Sequence, residues 1–300
     1  MPVVDLDGVS KSYSGKEAVR GLSLSIERGA IFGLLGPNGA GKTSTIRMMV
    51  GMTLPDSGTV RLFDQPFRRE HLRRVGYLPE ERGLYKRMKV IDQLVFLGEL
   101  HGLNAKTARS RSREWCERLE IADAMEKKTQ ELSKGMQQKI QFIATLLHDP
   151  ELIIMDEPSS GLDPVNVSLL EQILLELRNR GRTILFSTHR MDQVEKLCDA
   201  ICLVDQGAAV LEGTMRAVKS RYARNRVVIE YAGDASFLTH HAITDLREFP
   251  GRAEFKLRDG VDPQALLREA AGMAQVYKFE LAEPSLEEIF IRTVGGRANA

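Results

Sequence analysis

A chain of 300 residues with 43% hydrophobic and 28% charged residues can bury a full core and has room for two domains. Its net charge of +1 and 6% aromatic content give no basis for non-specific binding of nucleic acid or of a membrane surface. No run approaches a membrane span, and the first residues carry no basic-then-apolar leader. The three cysteines (Cys116, Cys198, Cys202) form no C-x-x-C pair and no even framework, which is what a reducing cytoplasm leads one to expect. Cys198 and Cys202 are four apart, as on one helix face, where packing is the expectation rather than metal ligation.

In chain order, residues 1 to about 30 alternate polar and apolar positions around turn signals, with Val9, Val19, Leu22, Leu24 and Ile26 on the apolar side. This predicts a short antiparallel sheet. Ala30 to Leu35 then reads as a buried strand, and Thr43 to Val50 as a helix. Between them lies Gly36-Pro37-Asn38-Gly39-Ala40-Gly41-Lys42-Thr43, which fits G-x-x-x-x-G-K-[S/T]. The glycines let the backbone turn so that successive N–H groups converge on phosphates, and the helix adds its positive end. Lys42 is then placed for the β- and γ-phosphates and the Thr43 hydroxyl for Mg²⁺.

Gly58 to Phe63 is predicted as an edge strand, and Val75 to Leu78 as a buried one ending at Pro79. From Val90 to about Asp149 the period becomes helical; Met136, Ile140, Ile143, Ala144 and Leu147 share one stripe. Leu152 to Met155 is a continuous apolar run of the kind found in buried parallel strands. The next helix is capped by Asp163 with Pro164 in its first turn, and Val165, Leu169, Leu170, Ile173, Leu174 and Leu177 form its stripe. Thr183 to Phe186 and Ile201 to Val204 are further buried strands. Strands alternating with helices argue for an α/β fold with a largely parallel sheet.

Arg216, Lys219, Arg221, Arg224 and Arg226 then crowd a polar stretch, residues 216–226, that reads as a basic linker or helix end. Beyond it, Val227 to Tyr231, Glu254 to Leu257 and Tyr277 to Leu281 are predicted strands, with a turn at Arg258-Asp259-Gly260 and a helix after Pro263. Ser285 and Glu288 make a capping box for a last helix. Residues 227–300 are therefore expected to form a small α+β domain.

Asp156 and Glu157 close the Leu152 strand, at the sheet edge where ligands bind in open α/β folds. Facing a triphosphate, Asp156 would hold Mg²⁺ and Glu157 would orient or deprotonate the attacking water. His189 falls on the same rim, as a γ-phosphate donor in its neutral form or as a structural histidine.

These residues, in this order, resemble the ATPase subunit of ATP-binding cassette transporters over roughly residues 3 to 215. The resemblance implies a P-loop NTPase core, residues 1–215, with an antiparallel β subdomain and a helical subdomain inserted at about 80–150. It implies ATP and Mg²⁺ as cofactors, with ATP contacts from the phosphate loop through Ser44 and from Tyr13, which matches the aromatic that stacks on adenine. Leu132-Ser133-Lys134-Gly135-Met136 matches the family signature, usually Leu-Ser-Gly-Gly-Gln. Asp163 in Ser160-Gly161-Leu162-Asp163 matches the loop that crosses the dimer interface, a role compatible with helix capping. In that family each ATP lies between the phosphate loop of one subunit and the signature of the other, so a homodimer that closes on ATP is implied.

Two positions depart from the pattern. Glu80 stands where glutamine is usual, with the same reach toward Mg²⁺ but an added negative charge. Lys134 and Met136 replace glycine and glutamine, and Lys134 either adds charge near the partner's γ-phosphate or faces solvent. With no span of its own, such a subunit needs a separate membrane permease, seated at the cytoplasmic face of the plasma membrane. In the family, the permease docks near the glutamine-equivalent loop, here Glu80 through Phe96 with Leu84, Tyr85 and Met88; the same apolar residues alternatively serve as core. Gly76 to Tyr85 and Glu283 to Phe290 resemble ABC-2 exporters of sodium and drugs. The alternative is a soluble cassette ATPase or nucleotide sensor; a nucleic-acid partner is not expected, and Glu157 argues for turnover.

Overall fold

The computed structural model describes residues 2–81, 83–222, 225–258 and 260–295. Arg224 of the basic run and Asp259 of the predicted turn lie outside them. The chain divides into two compact units, residues 1–215 and 216–300.

The first unit opens with β1 (Pro2–Tyr13), β2 (Lys16–Glu27), β3 (Ile31–Leu35) and α1 (Lys42–Met49). There follow β4 (Ser57–Leu62), β5 (Gln65–Pro66), β6 (Val75–Leu78), α2 (Val90–Leu100), α3 (Ala105–Arg118) and α4 (Lys134–Leu146). It continues through β7 (Leu152–Asp156), α5 (Pro164–Asn179), β8 (Thr183–Thr188), α6 (Met191–Leu197), β9 (Ala200–Asp205) and β10 (Ala208–Thr214). A six-stranded sheet has the order β10-β9-β3-β8-β7-β6, parallel except for β10. A four-stranded antiparallel sheet, β2-β1-β4-β5, contributes Val4, Leu6, Leu22, Leu24 and Ile26 to a core shared with Phe32, Leu34, Ile154, Leu185 and α1. Burying these side chains contributes about 1.5–3 kcal/mol each relative to exposure.

The helical stretch separates into α2, α3 and α4. Gly98 brings α2 against α3, since a Cβ there would stand 2.9 Å from Ala108 Cβ. On α5 the buried stripe is Val167, Leu170, Ile173, Leu174 and Leu177, whereas Val165 is 78% exposed beside the N-cap. The stripe predicted from Val165 thus begins two residues later. Cys198 ends α6 and Cys202 lies in β9, so they share no helix face; both are buried and burial pushes their thiols up. β10 has no counterpart in the sequence reading: Ala208–Thr214 is an edge strand with a register shift and no clean alternation.

The second unit comprises α7 (Met215–Ser220, whose first residue belongs to unit one), β11 (Arg226–Gly233), β12 (Ile243–Phe249), β13 (Arg252–Leu257), α8 (Pro263–Met273), β14 (Ala274–Ala282) and α9 (Leu286–Gly295). Its sheet is fully antiparallel in the order β12-β13-β11-β14, with a core of Val227, Ile229, Phe237, Phe255, Leu257 and Leu266. Within the basic run, Arg216 and Lys219 lie on α7. Arg226 is the first residue of β11 and is paired with Glu254 and Glu288, so it is part of the folded domain rather than a solvated linker. β12, with five exposed residues in seven and Asp245 at φ +52°, is the fourth strand that periodicity does not reveal.

Candidate nucleotide site

Strand register builds the site. Leu35 at the end of β3 pairs with Thr188 of β8, and Asp156 at the end of β7 pairs with Ser187. Three strand ends therefore stop side by side, and the chain leaving each one turns over the same rim. Between β3 and α1 the loop is held by its glycines. Gly36 has φ +150° and a Cβ there would stand 2.2 Å from Val204 O; Gly41 has φ +109° and its Cβ would stand 2.4 Å from Ala18 O. Any side chain at either position would meet backbone. Gly41 is also the N-cap of α1 and offers no side-chain cap, so the first amides of α1 are left for a ligand.

The resulting cavity, about 330 Å³, is lined by Asn38 through Ser44 together with Ala18, Glu80, Asp156, Glu157, Ser160 and His189. Lys42 is buried, and its Nζ donates to Gly36 O at 2.8 Å and Pro37 O at 3.2 Å. An ammonium has three donors, so one is left over. Burial pushes the Lys42 ammonium below its ordinary value, opposed by the charges of Glu157, Asp156 and Glu80.

Two successive carboxylates face one cavity although strand side chains alternate. The backbone explains it: Glu157 sits at φ +49°, a left-handed conformation that costs a non-glycine residue about 1–3 kcal/mol. The twist is held by the Glu157 N–H, which donates to Ser187 O at 3.1 Å and Ser187 Oγ at 3.2 Å. The Ser187 hydroxyl in turn donates to Asp156 Oδ1. Glu157 Oε1 meets His189 Nδ1 at 2.9 Å, and Oε2 accepts from Thr188 Oγ1 at 3.4 Å.

Asp156 Oδ2 is buried with no hydrogen-bond partner among the described residues. A bare buried carboxylate oxygen is costly unless something meets it. Thr43 and Glu80 line the cavity with it and also an adjoining one of about 270 Å³. Hydroxyl and carboxylate oxygens of this kind suit a small hard divalent cation. Among the described residues there is no group of three or more His, Cys, Asp or Glu that could hold a metal ion.

The signature residues lie elsewhere. Ser133 caps α4, accepting from Met136 N at 3.2 Å, and Ser133 and Lys134 are exposed, with Gly135 and Met136 half-buried. Asp163 caps α5 and accepts from Asn166 N at 3.0 Å, which holds its carboxyl below the usual range. None of these lines the cavity, nor does Tyr13, which is 41% exposed at the end of β1. The two regions are nevertheless joined. Gln138 Nε2 of α4 donates to Pro158 O at 3.1 Å, and Ser159 Oγ donates to Gln193 Oε1 of α6 at 3.0 Å.

Residues 19–160 match the family described as ABC transporter, and residues 213–294 match the C-terminal domain of DrrA1-3-like ATP-binding proteins. The chain is 43% identical over 294 residues to the ABC transporter ATP-binding protein YhaQ of Bacillus subtilis, covering 98% of this chain and 99% of that one. The chain belongs to the ATP-binding subunits of ABC transporters. It is also 33% identical over 303 residues to the Nod factor export ATP-binding protein I of Burkholderia lata, covering 98% of each. Among solved structures, an ATP-binding subunit of an ABC transporter aligns with a TM-score of 0.68 at 26% identity, over 73% of this chain and 92% of that one.

The ATPase thus binds and hydrolyses ATP and powers a permease carried on a separate chain. Among its described residues no helix is long and apolar enough to cross a membrane. Sequence reasoning did not find Ala18, Ser187 or Thr188, and named Ser160 only within the Asp163 loop. Ser187 and Thr188 extend β8 two residues past the predicted strand, where a polar pair ending an apolar run was the available signal.

Proposed function

We propose that two copies of the ATPase hold two ATP molecules at a shared seam and drive an exporter from the cytoplasmic face of the membrane. Residues 1–215 would be the ATP-binding domain, residues 227–300 an accessory domain, and residues 216–226 the connection between them. The observation that carries this reading is the split of the motifs. Lys42, Asp156, Glu157 and His189 meet at one cavity, while Ser133 stands exposed at another helix start. A second copy would supply that second anion-binding end, with Asp163 alongside it.

The phosphate loop from Gly36 to Ser44 would receive the phosphates through its N–H groups, which Pro37 lacks, and Lys42 would turn its remaining donor to the β- and γ-oxygens. Tyr13 would stack on adenine. Thr43, Asp156 and Glu80 would hold Mg²⁺, which when bound neutralises charge on the phosphates. Glu157, fixed by Ser187 and Thr188, would orient and deprotonate the attacking water. His189 presents Nδ1 to Glu157 Oε1 and would offer its other ring nitrogen to the γ-phosphate. Across the seam, Ser133 and the Gly135 N–H would meet the γ-phosphate, Lys134 would add charge there, and Met136 would pack behind.

The permease would dock on the segment from Glu80 to Phe96. Tyr85 and Phe96 are 52% and 38% exposed and stack edge to face at 5.9 Å, a partly bare aromatic pair of the kind found at interfaces. Export rather than import is supported by the likeness to the Nod factor export ATP-binding protein I of Burkholderia lata and by the DrrA-like C-terminal match.

The test is Glu157→Gln in the full chain. Light scattering under saturating Mg²⁺–ATP is expected to show a stable dimer that disperses when nucleotide is removed. A variant that stays monomeric under those conditions, alone and with its permease, overturns the seam.

A further inference from the structure

A second cavity, about 230 Å³, opens between α3 of the helical subdomain and the C-terminal end of α5. Its floor is apolar: Leu147 and Ile153 are fully buried, and Leu146 and Leu177 nearly so. One wall is Trp115, the single tryptophan of the chain. The mouth is charged, and its charges are unevenly matched. Arg118 is paired with Glu176 and lies 5.0 Å from the Trp115 ring, while Asp149 is paired with Arg182 at 2.6 Å. Arg111 spends one donor on Leu147 O at 2.7 Å, a neutral acceptor, and among the described residues it makes no ion pair. Arg180 lines the mouth, and among the described residues its side chain makes no hydrogen bond or ion pair.

We propose that this cavity is a binding site for a small organic monocarboxylate with an apolar, preferably aromatic, body. The apolar floor and indole wall accept the body, because ligand pockets are mostly apolar with a few placed polar groups. The forked guanidiniums of Arg111 and Arg180 accept the carboxylate. Glu114 at the same mouth decides the charge, since a dianion such as a phosphate monoester would meet it as a second repulsion. The floor belongs to the core strand β7 and to α4 and α5, while the Trp115 wall belongs to α3, so the ligand bridges two subdomains. The site lies apart from the nucleotide cavity, and the two share no lining residue.

Phenylpropionate, phenylpropanol and phenyl phosphate are titrated into the full chain, followed by calorimetry and by the fluorescence of Trp115. Saturable one-to-one binding of phenylpropionate is expected, with the alcohol and the phosphate weaker by about tenfold or more. Arg180→Ala, an exposed residue whose loss leaves the floor intact, is expected to weaken phenylpropionate by about tenfold. Trp115→Phe is expected to retain calorimetric binding while losing the optical signal. No saturable binding, equal binding of the alcohol, or unchanged affinity in an Arg180→Ala variant that melts like the parent overturns the proposal. Preference for phenyl phosphate overturns the monoanion assignment.

Discussion

The cavity at the end of β3 and the start of α4 both offer helix amides to an anion, yet they are built in opposite ways. At the cavity Lys42, Asp156 and Glu157 are buried, and most of their polar atoms are already engaged. Lys42 is bound to its own loop, Ser187 bridges Asp156 and the Glu157 amide, and His189 touches Glu157. At the start of α4, Ser133 does no more than cap its own helix, and its neighbour Lys134 faces solvent. A preorganised pocket binds with little rearrangement. An exposed cap carries no such preparation, and under the proposed seam it would act only when a second surface approaches. The contrast teaches which groups the fold prepares for a ligand within one chain and which it leaves bare.

The contrast breaks first at Lys42. Lys42→Ala is expected to weaken ATP binding by about 100-fold, the loss of charge-assisted hydrogen bonds, when followed by titration of the isolated ATPase. If affinity holds, the lysine is a loop brace and no more. Ser187→Ala should cost about 1–3 kcal/mol in urea unfolding, because it leaves a buried carboxylate without its donor. A stability equal to the parent would mean the Asp156–Glu157 corner is held by other contacts. Ser133→Ala should cost about 1 kcal/mol of stability, the loss of one N-cap, and lower turnover while leaving the monomer's ATP affinity unchanged. Were that affinity to fall as it does for Lys42→Ala, both regions would serve one site within one chain.

The smallest effect sharpens the comparison along α4 itself, whose far end is as buried as its start is exposed. Just past α4, His148 stacks on His101 at 3.8 Å and bonds Val75 O at 3.1 Å. Burial, with the His101 ring beside it, pushes the His148 imidazole down to about 4. The unfolded chain takes up this proton near pH 6.5, as is usual for histidine, while the native chain resists until about 4. In that window the unfolded state holds more protons, so stability falls as pH falls and is regained on raising it. His101, also held down by burial, acts in the same direction. The melting temperature of the parent is expected to drop more between neutral pH and about pH 5 than that of His148→Gln. Parallel pH curves would remove His148 from the account.

Much of the core architecture was legible because its signals are local. The phosphate loop, the apolar run of β7, the Asp163 cap and the Ser285–Glu288 box each declare themselves within a few residues, and the structure contains them. β10 and β12 were missed because edge strands with register shifts lack the alternation that marks a half-buried strand. Arg226 looked like one cation in a basic run, since its partners Glu254 and Glu288 are distant in the chain. Val165 looked like core because it stands at helical spacing before Leu169, yet beside the N-cap it turns to solvent.

What the sequence determined alone was the chemistry available: a loop that must turn on glycine, a lysine and a threonine at its end, and two carboxylates closing a strand. Only the tertiary structure decided that these meet, through the pairing of Leu35 with Thr188 and of Asp156 with Ser187. It alone placed Glu157 in a left-handed turn, left Asp156 Oδ2 without a partner among the described residues, and set Asp156 in one cavity lining with Thr43 and Glu80. Backbone preferences act over a few residues and are written in the chain. Register between strands far apart in sequence is set by which packing buries the most apolar surface, and that is a property of the whole fold.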